Sequence, residues 1–150
     1  MPRKEYLQRD RRYVSEYVAT HITDRKAAFF NLRLGPPPLE ARRMYPELPE
    51  AYFRVWKKWA DAVVVTSDRI ILVEGELRRP VVALGEILTY RDLVIQTPEL
   101  EPYKDLPVEM HLVTPREDPD LMAQAEKQGV KVVIYKPLWA LDYLKELGML

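Results

Sequence analysis

The chain has 150 residues, 47% of them apolar and 31% charged, with 23 basic side chains balancing 23 acidic ones and no cysteine. That length suits a single domain over residues 1–150, able to bury most of the surface its unfolded form would expose, and the spread of apolar residues excludes a disordered chain. The lack of cysteine excludes disulfides and thiolate metal sites, no run approaches the roughly 18 apolar residues of a membrane span, and the N-terminus lacks a signal-peptide core, so a cytoplasmic, reducing setting is expected.

In chain order, Tyr6, Tyr13 and Tyr17 with Val14 and Val18 fall at helical spacing and predict a helix from about residue 4 to 23. Residues 29–34 suit a short edge strand, after which Gly35-Pro36-Pro37-Pro38 forbids regular structure. Helices are expected over 39–44 and 49–59, the second opened by Pro49 and Glu50. Residues 62–65 and 70–73 are continuously apolar on either side of Thr66-Ser67-Asp68-Arg69, the pattern of a tight hairpin between two buried strands. Pro80 opens a helix over 81–94, and a strand is expected over 108–114. Asp118-Pro119 opens a helix that reaches Gln128 and is stopped by Gly129; a strand over 131–135 and a helix over 138–147 complete the chain. The closing strand-helix-strand-helix order implies a right-handed crossover, and hence an α/β domain whose mixed sheet is covered on both faces.

The balanced net charge conceals an asymmetry. Residues 1–60 carry 13 Lys and Arg against 7 Asp and Glu, whereas residues 61–150 carry 10 against 16. The basic part includes Arg9, Arg11, Arg12, Lys57 and Lys58, interleaved with Tyr13, Tyr17, Trp56 and Trp59, a composition able to hold a phosphate backbone. Only together with the candidate site of the acidic part does this asymmetry favour DNA as the partner. Taken singly, each of these residues equally suits a solvated helix face over an aromatic stripe in the core.

The acidic part contains the candidate chemistry. Side chains alternate along a strand, so Glu74 and Glu76 share a side with the small Gly75 between them, and Asp61 opens the neighbouring strand. Three carboxylates gathered this way repel each other by roughly 1 to 3 kcal/mol per pair at about 5 Å, unless a cation sits among them. An oxygen-rich, sulfur-free site suits Mg²⁺ or Mn²⁺. Glu86 and Tyr90 on the following helix are four residues apart and share a face.

These residues resemble the PD-(D/E)xK nuclease superfamily, with Asp61 at the first motif position and Glu74 at the second, 12 residues intervening. Glu76 stands where the motif has Lys. The helical Glu86-Ile87-Leu88-Thr89-Tyr90 resembles the Gln-x-x-x-Tyr signature of the RecB, Cas4 and lambda-exonuclease branch, with Glu replacing Gln. The resemblance implies a restriction-endonuclease-like fold and a metal-dependent DNA endonuclease or exonuclease: Asp61, Glu74 and Glu76 around Mg²⁺ or Mn²⁺, and Arg78 or Arg91 offsetting phosphate charge. Glu86 and Tyr90 would complete the site. The missing Lys equally motivates a catalytically inactive module, serving a DNA-processing, phage-packaging or virion neck assembly, alone or paired with a second copy.

Other polar residues have plainer readings. Glu16 and His21 suit an exposed helical position and a helix end, and His111 receives no role. Glu117, Asp118 and Asp120 complement a helix N-terminus, while Trp139 and Tyr143 share a core-facing helix side.

Overall fold

The computed structural model describes residues 3–35, 43–47, 49 and 58–150, and the side chains among these except those of residues 3–7 and 58. The elements in order are α1 (Arg3–His21), β1 (Ala27–Leu34), β2 (Lys58–Val65), β3 (Ile70–Gly75), α2 (Pro80–Val94), a 3-10 turn (Pro98–Tyr103), β4 (Val108–Thr114), α3 (Pro119–Lys127), β5 (Val130–Ile134) and α4 (Leu138–Glu146). The strands form one sheet in the order β1-β2-β3-β4-β5, antiparallel from β1 to β3 and parallel from β3 to β5. This is the mixed sheet flanked by helices that the element order predicts.

Each face of the sheet has its own core. Leu72 and Met110 pack with Ala83, Ile87 and Val94 of α2 and with Leu121 and Ala125 of α3. On the other face Ile71, Val73 and Val113 pack with Tyr13, Val14, Tyr17 and Val18 of α1 and with Ala140 and Tyr143 of α4. A pattern of continuous apolar residues in β3 follows from this arrangement, since all six of its residues are buried between helical layers.

Local sequence signals fix most boundaries. The hairpin turn is tied by Thr66, whose backbone N–H donates to Arg69 O at 2.9 Å and whose hydroxyl donates to Asp68 Oδ1. Pro80 occupies the first turn of α2, and the Asp118 carboxylate caps α3 by accepting from Leu121 N at 3.1 Å. Gly129, with φ of 75°, supplies the left-handed residue after α3.

Two expectations require correction. The helix over 49–59 does not reach its predicted end, because Lys58 and Trp59 already pair with Leu34 and Arg33 in the sheet. Arg33 lies over the Trp59 ring at 4.3 Å, so this cross-strand pair holds the indole in the strand. β3 ends at Gly75, so Glu76 and Arg78 do not continue along a strand face. Residues 39–42 of the expected helix over 39–44, most of that over 49–57, Lys57 and the side chain of Lys58 lie outside the described residues, while residues 43 and 44 are helical.

Candidate active site

Asp61 and Glu74 occupy the rung that follows the Ala62–Val73 pair of the β2–β3 ladder. Their side chains replace the regular backbone bonds there. Asp61 N donates to Glu74 Oε1 at 3.0 Å, and Gly75 N donates to Asp61 Oδ2 at 2.9 Å. The expectation that the hairpin brings these two carboxylates together therefore holds.

The sheet changes phase at this point. In β1, Ala27 and Phe29 on one side of Asn31 and Leu32 and Leu34 on the other all face the same core; in β2, Val65 and Val63 on one side of Asp61 and Ala60 on the other do likewise. Face alternation thus slips at Asn31 and at Asp61, while the register of the pairs around them is unchanged. Asn31 makes the slip feasible with a φ of 52°, a conformation that Asn tolerates better than most residues.

Gly75 brings α1 onto the same point. A Cβ on this residue would lie 2.6 Å from Val14 Cγ2 and 3.3 Å from Tyr13 Cδ1, so only glycine admits the helix this close. The result is a cleft of about 570 Å³ walled by α1, β1, β2, the end of β3 and α2. Five acidic residues line it: Asp10 from α1, Asp61, Glu74, Glu76, and Glu86 from α2. Arg11 is the one cation lining it among the described residues, and Phe30 and Trp59 stand at its β1–β2 side.

Burial dominates the electrostatics. It pushes the Asp61 carboxyl up to about 6, with the negative Glu86 and Glu76 adding to the effect and the Gly75 amide opposing it. Burial, and then the charges of Asp61 and Glu86, hold Glu74 far above the ordinary glutamate range. The Glu74 carboxyl also donates to Asp61 across the pair, so without a cation the two groups share a proton. Tyr90 is buried under them, and burial together with Glu86, Glu74 and Asp61 raises its phenol. Glu86 and Tyr90 therefore face the pair from α2, as their i, i+4 spacing predicts.

Several expected participants are elsewhere. Glu76 lines the cleft, but its Oε1 accepts from Arg78 N and Arg79 N, both at 3.0 Å, closing the turn that leads into α2. Among the described residues no three His, Asp or Glu side chains gather into a metal-ligand group. Arg78 does not line the cleft, and Arg91 is exposed on α2 beside Asp92. Of the described basic side chains on α1, Arg9 lies over the Tyr143 ring and Arg12 over the Trp139 ring, each at 4.2 Å, while only Arg11 lines the cleft. Glu16 accepts from Trp139 Nε1 at 2.7 Å and from Arg12 Nε at 2.8 Å, fastening α1 to α4. His111 is buried with its Nδ1 2.9 Å from Tyr17 Oη, and His21 stacks on Tyr17 at the exposed end of α1.

Sequence context singles out neither Asp10 nor Asn31, and it reads Arg11 as one of several phosphate-binding cations without placing it beside the acidic pair. Gly75 was the available signal, because a glycine at the end of a buried strand marks close approach of another element.

No protein-family model and no curated protein matches the sequence. Among solved structures, a repair endonuclease from Pyrococcus abyssi is similar over 83% of this chain and 46% of its own, with 16% identity and a TM-score of 0.49. EndoMS in complex with double-stranded DNA is similar over 83% of this chain and 43% of its own, with 17% identity and a TM-score of 0.45. The chain spans less than half the length of either.

Proposed function

We propose that the protein is a metal-dependent DNA phosphodiesterase whose cleft binds Mg²⁺ or Mn²⁺ through Asp61 and Glu74. The observation that carries this is the pair itself: two adjacent carboxylates, each with one oxygen fixed by a backbone amide, held in a five-carboxylate wall that raises the cost of their charges. The donor set fits a hard dication. Magnesium is commonly held by one or two carboxylates, with water and phosphate oxygens completing its shell, so Glu76 is not required as a ligand. When bound, the ion polarises the phosphodiester and lowers the pKa of a coordinated water.

The remaining chemistry belongs to the chain. Asp61 and Glu74 would hold the cation as carboxylates, giving up to solvent the proton that burial keeps on the pair. Glu76 and Glu86 are the proton acceptors the cleft offers to an attacking water. Arg11 takes the part that the motif Lys would have played toward the phosphate, as a fixed positive charge rather than a base. Tyr90 positions the pair from below. The resemblance of Asp61, Glu74, Glu86 and Tyr90 to the nuclease motif supports the same reading.

The test is cleavage of DNA in Mg²⁺ or Mn²⁺ by the wild type and by Arg11→Ala. The wild type should cut only with the dication, and Arg11→Ala should lose about 10- to 100-fold in rate with its metal affinity kept. Absence of metal-dependent cleavage would remove the enzymatic reading and leave a silent module. Equal rates in the two proteins would remove Arg11 from it.

A further inference from the structure

Phe30 and Trp59 are each 45% exposed, which is uncommon for large aromatic side chains standing beside a buried charged pair. They line the acidic cleft together, and they also line a shallower depression beside it, so they form a ridge between two concave surfaces. Asn31 lies in that ridge with its left-handed backbone. Arg33 covers one side of the Trp59 ring at 4.3 Å, which restrains the indole in the strand.

A ridge of this composition selects a planar, weakly polar ligand. Exposed rings offer π faces that any nucleobase can stack on, whereas a continuous duplex keeps its bases stacked on one another and hides those faces. The phosphate attached to such a base is drawn to Arg11 on the α1 side of the cleft. The cleft volume lies within the range of sites that enclose a small ligand.

From these observations we infer that Phe30 and Trp59 stack an unpaired nucleobase, so that the cleft takes a DNA strand that is single or locally unpaired in preference to intact duplex. This rests on the reading of the cleft as a DNA site, and it adds the form of the strand and the residues that select it.

Binding of fluorescently labelled oligonucleotides tests the inference in the Glu74→Gln background, where the strand is expected to stay intact. The single strand should bind more tightly than the duplex of the same sequence. Phe30→Ala and Trp59→Ala should each weaken single-strand binding by about 5- to 100-fold, and Trp59→Phe, which keeps an aromatic face, should restore most of it. An abasic strand should bind the parent as weakly as the base-bearing strand binds the alanine variants. Equal affinity for abasic and base-bearing strands would overturn the inference, as would alanine variants that bind as the parent does. Because metal-dependent cleavage by the wild type is measured separately, its failure is distinguishable from a failure of stacking.

Discussion

Glu74→Gln should abolish metal-dependent DNA cleavage, by about 10³-fold or more, while making the metal-free protein more stable. The rate loss follows from removing one of two ligands to an ion that contributes several kcal/mol of transition-state charge stabilisation, each 1.4 kcal/mol being about tenfold. The stability gain follows from burial. Glutamine keeps an oxygen to accept from Asp61 N, and its amide N–H replaces the shared proton toward Asp61.

The sign is set by linkage. Glu74 has a folded-state pKa raised above its ordinary value near 4.5, so the folded state holds a proton that the unfolded state has lost. Stability of the metal-free wild type therefore falls as pH rises above that ordinary value, and Asp61 adds to the loss until about 6. Above pH 7 the variant should exceed the wild type by about 1 to 2 kcal/mol, or roughly 3 to 6 °C in Tm. Thermal unfolding in EDTA across pH measures this. A destabilised variant would show that the pair is not strained by its burial.

Gly75→Ala should cost about 1 to 3 kcal/mol and disable the site by forcing α1 away from the end of β3. The added methyl meets Val14 Cγ2 at 2.6 Å, and Val14 sits in a helix where a β-branched side chain has essentially one rotamer with which to escape. The helix must then move away, taking Asp10 and Arg11 off the cleft wall. Adding Val14→Ala should recover most of the loss, giving a coupling well beyond additivity in chemical denaturation. Additive effects of the two substitutions would mean that Gly75 does not set the α1 approach.

The parts of the fold that were legible in sequence are those with local punctuation. Pro80, the Asp118-Pro119 pair and Gly129 mark helix ends by chemistry that neighbouring residues cannot override, and the strand over 108–114 has the predicted bounds. The pairing of Asp61 with Glu74 was legible because a tight turn at residues 66–69 fixes register along the whole hairpin.

What escaped depends on tertiary contact. The early start of β2 at Lys58 rests on pairing with β1, some two dozen residues earlier in the chain, which local periodicity does not register. The turn made by Glu76 also escapes, because β3 stops one residue before it and its carboxylate accepts from the backbone leading into α2. The helical spacing of Tyr13, Val14, Tyr17 and Val18 identified the buried side of α1, yet which flank borders the acidic pair follows from the close approach at Gly75. The rings of Tyr143 and Trp139, which Arg9 and Arg12 cover, come from the far end of the chain, so these contacts too are invisible to local sequence.

Calorimetric titration of Mn²⁺ into the wild type and Glu74→Gln, at about pH 8 and about pH 5, tests the central claim most directly. Displacement of a shared proton by a dication requires binding at the higher pH with protons released to the buffer, much weaker binding at the lower pH, and none in the variant. Mn²⁺ binding that is indifferent to pH and to Glu74→Gln would place the ion elsewhere and contradict the account.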